Sequence, residues 1–318
     1  MIELSRKHIV QSKEWGEIKQ KSNTPPIRVG DLQFTKHKIP FIPYYVAYAP
    51  RVNFITQKFS WNELKTIAKS ERCIFIRFDV PNVLNDNSIT SRKIVDEISE
   101  RCKLAPRSTF AKFNVLLDLT PTEEDLIMNI SQKTRYNSRL SARKGVTVKI
   151  DNTIEGFEIF YSLLKETSER QKFLIHPKVY YKNIFEILNN HNMVAILVAS
   201  IKNKPLSAWM LIHYQNTLYY PYGGSSSDDR NLMSSNLLAW EAIKYGKKIG
   251  CKLFDMWGAT NDEKSTWWGF TKFKLGYGGN LVEYIDTYDF VVNKFLYFIF
   301  NLSYSIFWKL VDIIKRRK

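Results

Sequence analysis

Three groups of residues in this 318-residue chain have types and spacings that could do chemistry. In the closing third, Tyr220 and Tyr222 run into the flexible sequence Gly223-Gly224-Ser225, and Arg230 follows. Beyond them Lys272 and Lys274 lead into Gly276, Gly278 and Gly279. Glycines let a ligand or another backbone approach closely, and an ammonium beside them can hold an oxyanion or a phosphate. A solvated turn would use the same residues. The second group is basic: Lys133, Arg135, Arg139, Arg143, Lys144 and Lys149 fall between Leu126 and Ile150, a stretch with no acid. Positions 135, 139 and 143 share one helical face with Tyr136 alongside, which suits phosphate or nucleic acid and equally suits a charged helix shielding a domain seam. The third is Asp79, which ends an apolar run before Pro81; it could take a proton from an amine or cap a turn. Cys73, Cys102 and Cys251 lie far apart and the five histidines form no ligand pair, so no metal is expected.

The elements that must position these groups are legible from periodicity. A strand carries Tyr220 and Tyr222, and a helix follows with Leu237, Leu238, Trp240 and Ile243 near a 3.6 period. Gly250 stops that helix, and Leu253, Phe254 and Met256 resume an extended run around Asp255. This order resembles the core of acyl-CoA N-acyltransferases (GNAT). Such a core cradles a pyrophosphate on bare backbone amides at the helix start. Here that turn is Arg230-Asn231-Leu232-Met233-Ser234-Ser235, without a glycine, and Leu232 and Met233 would crowd a diphosphate. An acyl-CoA donor is therefore not expected.

The segments YPYGGSS, RNLMSSNLLAWEAIKYGKKIGC, FDMWG and GFTKFKLGYGG resemble the FemABX peptidoglycan bridge-forming aminoacyltransferases. Lys133-Thr134-Arg135-Tyr136-Asn137 through Lys144-Gly145-Val146 resembles that family's second signature, and Trp15 to Lys19 its N-terminal W-x-x-x-K. The resemblance runs through most of the chain in order. It implies two tandem GNAT-like α/β domains and transfer of an amino acid from aminoacyl-tRNA to a stem-peptide amine, with no cofactor besides the tRNA co-substrate. It makes Lys274 the functional lysine of a Phe-Lys pair, Lys19 a contact to a precursor phosphate, and Asp79 an acidic residue near the site. His176 stands where the family has a phosphate-binding arginine, which substitutes a group mostly neutral at pH 7. Tyr222 and Arg230 are further candidates for substrate contact, against a buried strand tyrosine and a salt bridge to Asp228 or Asp229. No long helical hairpin of the kind seen in some members is present, so the basic face with Lys133, Arg135, Arg139 and Arg143 and the tail are the remaining candidates for tRNA contact.

A formal charge of +16 favours polyanionic partners, while a lysine-rich background would give a similar number. At 44% hydrophobic the chain can build a core, and without a leader pattern at Met1 it is expected in a reducing cytoplasm, as a monomer. Its halves echo each other. Tyr44 to Tyr48 matches Leu218 to Tyr222, Cys73 to Asp79 matches Cys251 to Asp255, and Phe110 to Phe113 matches Phe270 to Phe273. Domains are expected at 1–150 with 283–318, and at 151–282. One helix is expected over 122–144. The apolar tail 290–318 ends in Lys315-Arg316-Arg317-Lys318. Its uncharged run would span ~21 Å as a helix, short of a ~30 Å hydrocarbon core. It suits a helix on the inner membrane face or one packed on the protein. Two other functions fit the same residues: an N-acyltransferase using acyl-CoA or acyl-carrier protein, and a non-enzymatic basic module binding nucleic acid or lipid.

Overall fold

The computed structural model describes residues 7–303. The chain divides into two units, one formed by Ala111–Glu283 and the other by the described residues up to Phe110 together with those from Tyr284 onward.

The second of these carries a six-stranded sheet. Its strands are β1 (Pro26–Val29), β2 (Leu32–Lys38), β3 (Tyr45–Pro50), β4 (Cys73–Asp79), β5 (Lys103–Leu104) and, from the end of the chain, β13 (Tyr288–Val291), in the order β1-β2-β3-β4-β13-β5. Helices α1 (Lys13–Lys21), α2 (Trp61–Ser70) and α3 (Ile89–Arg101) belong here. The seven-stranded sheet of the other unit has the order β12-β6-β11-β10-β9-β8-β7. Its strands are β6 (Phe113–Asp118), β7 (Thr147–Ile150), β8 (Val194–Ile201), β9 (Lys204–Tyr214), β10 (Thr217–Ser225), β11 (Leu253–Ala259) and β12 (Asn280–Glu283). Six helices go with it: α4 (Glu123–Asn129), α5 (Gln132–Arg143), α6 (Ile154–Gln171), α7 (Lys178–Asn190), α8 (Ser234–Lys248) and α9 (Trp268–Leu275).

Both sheets repeat one plan. Antiparallel strands lead into a strand, β3 or β10, whose next neighbour in sequence, β4 or β11, lies parallel to it after a helix, α2 or α8. An antiparallel strand then flanks the pair, β13 beside β4 and β6 beside β11. The fold is thus mixed α/β with two GNAT-like units, and the echoed segments at Tyr44 and Leu218 and at Cys73 and Cys251 occupy equivalent strands. The echo of Phe110 with Phe270 is not structural, because the former precedes β6 while the latter lies in α9.

Two boundaries differ from the sequence expectation. Residues 111–150 do not belong with the N-terminal unit: β6 pairs with β11 and β12, and β7 with β8. Periodicity identifies such strands but not their partners. The helix expected over 122–144 is two helices, because Ser131 caps α5 by accepting the Thr134 N–H (3.4 Å). A capping hydroxyl satisfies an orphan amide and starts a new helix.

Each unit has its own apolar core. Phe254, Leu238, Ile243 and Trp209 centre one, and Phe34, Phe78, Ile76 and Leu64 the other. The second core is pinned by a buried ion pair in the β4–β13 ladder. Arg77 donates from Nε and Nη2 to the two oxygens of Asp289, both at 2.8 Å, and the Tyr297 hydroxyl donates to the same carboxylate at 2.9 Å. Asp289 has no exposed surface.

The expected tail element is partly strand: Phe290 and Val291 lie in β13. A helix begins at residue 294 and reaches the last described residue, 303; the rest of the tail lies outside the described residues. No helix among the described residues is long and apolar enough to cross a membrane.

Candidate functional site

The parallel pairs of the two units differ in one respect. β3 and β4 stay paired from Tyr45 opposite Cys73 to Pro50 opposite Asp79. β10 and β11 pair only from Thr217 opposite Leu253 to Tyr219 opposite Asp255, although both strands continue. Beyond that point β10 shifts register against β9 between Tyr219 and Tyr222, and β11 shifts against β6 between Asp255 and Gly258. Bulges of this kind bend a strand and end its pairing. The two strands therefore part, with Tyr222, Gly223 and Gly224 on one arm and Trp257, Gly258 and Ala259 on the other.

The β11 bulge turns on Trp257, whose φ of 65° is left-handed, an uncommon conformation for a bulky residue. Asp255 holds it: its Oδ1 accepts the Trp257 N–H at 2.7 Å and the Asn114 amide at 2.8 Å. The distortion points two carbonyls at Lys274 of α9. Lys274 Nζ donates to Gly258 O at 2.6 Å and to Trp257 O at 3.3 Å, and lies 4.0 Å from the centroid of the Phe270 ring. Lys274 is 0% exposed. Burial lowers its pKa from 10.5 to about 7, against the opposing charge of Asp255. Lys272, two residues earlier on the same helix, is exposed.

A solvated turn is thus not what Lys274 occupies, and Gly276, Gly278 and Gly279 serve the protein itself. A Cβ on Gly276 would lie 2.4 Å from Thr134 Oγ1, and one on Gly279 would lie 2.5 Å from Val115. Gly278 has φ of 83°.

The depressed lysine gives a stability signature. Between pH 7 and 10.5 the unfolded chain protonates Lys274 and the folded chain does not, so unfolding takes up a proton. Stability from this group therefore rises with pH through that window and is flat below it, because both states are then charged. In Lys274→Met this slope should vanish. Urea unfolding at pH 7.5 and 9.5 should show wild type gaining about 2 kcal/mol on the variant between the two pH values.

Across the opening, Tyr222 joins an aromatic cluster from α7 and the turn before it. Its hydroxyl bonds Tyr180, its ring lies 5.0 Å from Tyr181, and the His176 ring lies tilted 4.2 Å from that of Tyr180. Burial, with Tyr180 beside it, raises the Tyr222 pKa well above 10, so the phenol stays neutral. Gly224 is required for packing: a Cβ there would come 2.3 Å from the backbone of Leu163 and Leu164 in α6. Sequence reasoning did not single out Phe270, Asp255 or Trp257. The signals for them were the FDMWG run, which holds Asp255 and Trp257, and the GFTKFKLGYGG run, which holds Phe270.

At the start of α8, Arg230–Leu232 form one 3₁₀ turn and Met233 caps the helix with φ of 53° and no side-chain bond. Leu232 packs on the core there. Arg230 is exposed, and Asp228 and Asp229 pair with Lys204 instead, both at 3.0 Å. On α5, Lys133, Arg139 and Arg143 are exposed, with Arg143 5.9 Å from the Tyr136 ring. Arg135 turns away from that face to cap α4, donating to Ile127 O (3.1 Å) and Met128 O (3.3 Å). Lys144 donates to Asn231 O at 3.1 Å, at the entrance to α8.

Two candidates belong to the six-stranded unit. Lys19 is half-buried in α1, and burial lowers its pKa. Asp79 is fully buried at the closed end of β3 and β4. Its oxygens accept the Thr109 N–H (3.0 Å), the Phe110 N–H (2.8 Å) and the Thr287 hydroxyl (2.9 Å). These bonds tie the end of β4 to the backbone at 109–110 and to Thr287.

A parallel pair that parts beside a buried lysine, on a scaffold used twice, places the chain in the class of tandem GNAT-like folds. A model described as the FemAB family matches residues 2–206 and 199–305, and the chain belongs to that family. It is 24% identical over 344 residues to a lipid II:glycine glycyltransferase of Staphylococcus epidermidis, covering 85% of this chain and 82% of the relative. A protein of the same name from Staphylococcus aureus is 22% identical over 377 residues, covering 91% and 89%. Among solved structures, FemX aligns with a TM-score of 0.81 and 19% identity over 92% of this chain and 94% of its own. That likeness shows the fold.

Proposed function

We propose that the protein transfers an amino acid from aminoacyl-tRNA to the side-chain amine of a peptidoglycan-precursor stem peptide, forming an interpeptide bridge. The observation that carries this reading is Lys274, a buried lysine held near neutrality on the bulged arm of the β10–β11 opening. Family membership and relatives named for glycyl transfer to lipid II support glycine as the first amino acid to test and a lipid-linked acceptor. The reaction would then take place at the cytoplasmic face of the membrane.

The acceptor nitrogen attacks the carbonyl carbon of the aminoacyl ester. The tetrahedral oxyanion collapses, the bond to the ribose oxygen breaks, and the proton lost by nitrogen balances the hydroxyl released. Two directions around Lys274 Nζ are taken by Trp257 O and Gly258 O, and the third by the face of the partly exposed Phe270 ring. Displacing that ring would let the ammonium face the oxyanion, where a desolvated charge acts strongly. Lying near pH 7, the same group can also exchange the proton that the acceptor amine must lose. Tyr222 is assigned to substrate contact, and His176 through Tyr180 to its positioning. Lys133, Arg139, Arg143 and Arg230 are assigned to tRNA phosphates, and Lys19 to precursor phosphate.

Incubation with glycyl-tRNA and lipid-linked precursor should add one glycine mass to the stem peptide. Equal transfer from an acyl-CoA in place of the charged tRNA would overturn the donor assignment, and binding without any transfer would overturn the enzymatic one.

A further inference from the structure

In the six-stranded unit, the helix over residues 294–303 is apolar on two sides. Its inner side packs on the sheet: Leu296, Tyr297 and Phe300 meet Phe75, Ile74 and Val46, with ring centroids of Phe75 and Tyr297 at 5.2 Å. Its outer side presents Phe295, Phe298, Ile299 and Leu302 to solvent, Phe295 at 71% and Phe298 at 67% exposure. Those four positions follow i, i+3, i+4, i+7, a continuous stripe on one helix face. Helices apolar all round are normally covered.

A second element extends the stripe. The β2–β3 loop is closed by Ile39 N–H to Tyr44 O at 3.0 Å, and Ile39 and Tyr44 join the same cluster as Leu296 and Phe300. At its tip Phe41 is wholly exposed with a left-handed φ of 68°, and Ile42 beside it is also exposed. A protein gains nothing internally by holding an aromatic ring in water on a strained backbone.

The surround is cationic. Lys69 and Arg72 line a depression with Tyr44 and Asn293 at the foot of the helix, and Lys103 lies 6.0 Å from the Tyr297 ring. Lys38 and Lys294 are exposed at the adjoining ends of β2 and the helix. An apolar stripe and a projecting ring, set within lysine and arginine, match an anionic bilayer surface: the rings enter the acyl boundary and the cations meet headgroup phosphates. We propose that the Phe41 loop and the outer face of the 294–303 helix together dock the protein on anionic phospholipid membrane. The chemistry stands apart from the transfer reaction and is tested without it.

The full chain should sediment with vesicles of phosphatidylglycerol and phosphatidylcholine in equal parts, less with pure phosphatidylcholine, and less at raised salt. Phe41→Ser, which lies outside the tail, and the pair Phe298→Ser with Leu302→Ser should each weaken partitioning by about tenfold or more. Their melting temperatures should match wild type, since the side chains are exposed. Lys69→Gln with Arg72→Gln should lower binding to anionic vesicles alone. Unchanged partitioning of Phe41→Ser would overturn the proposal. So would failure of wild type to sediment, or a dimer in solution that the Phe298→Ser pair dissolves, which would assign the face to a second copy.

Discussion

Lys274→Ala is expected to lower kcat for aminoacyl transfer by about 10²–10³-fold, the scale seen when one preorganised oxyanion stabiliser is lost. Lys272→Ala should stay within about twofold of wild type, because an exposed charge on the same helix is screened by water. The contrast follows from burial rather than from position in sequence. Lys274 meets only carbonyls and a ring, so its charge acts in a low-dielectric pocket. Removing it also leaves Trp257 O and Gly258 O without their donor, so Lys274→Met, which keeps the stem, separates loss of charge from collapse of the bulge. The measurement is single-turnover transfer from charged tRNA, with thermal melting alongside. Full activity in Lys274→Ala, or an equal loss in Lys272→Ala, would remove Lys274 from the chemistry.

The second large effect is on stability. Asp289→Ala should destabilise the protein by about 3–5 kcal/mol, because it strands the Arg77 guanidinium inside the sheet. Tyr297→Phe should cost about 1 kcal/mol, since it removes one hydrogen bond to the same carboxylate. Urea unfolding followed by tryptophan fluorescence reads both. If Asp289→Ala and Arg77→Ala each cost under 1 kcal/mol, the pair does not pin β13 to β4.

Much of this architecture was legible because local signals agreed with it. Apolar spacing marked α8. The parallel pairs showed as echoed segments. Placement of β6 was not legible, since an apolar strand carries no mark of which sheet receives it. Nor was the environment of Lys274. A Phe-Lys pair among glycines looks solvated until the bulge in β11 is known to turn its carbonyls toward the lysine. Trp257 shows why: nothing in its type announces a left-handed backbone, which Asp255 and Asn114 impose through tertiary contact. Asp79 was visible as an acid at a strand end, but its donors come from Tyr48, Thr109, Phe110 and Thr287, which only the fold assembles.

The crossed placement of β6 and β13 bears on how the polypeptide matures. The seven-stranded unit is one uninterrupted stretch and can complete its sheet as soon as Glu283 has been synthesised. The six-stranded unit, though begun first, lacks the neighbour of β4 until residues past Val291 emerge from the ribosome. The N-terminal part therefore cannot close its sheet ahead of the part that follows it. During translation the early strands carry an open edge, of the kind that invites intermolecular pairing and the attention of chaperones.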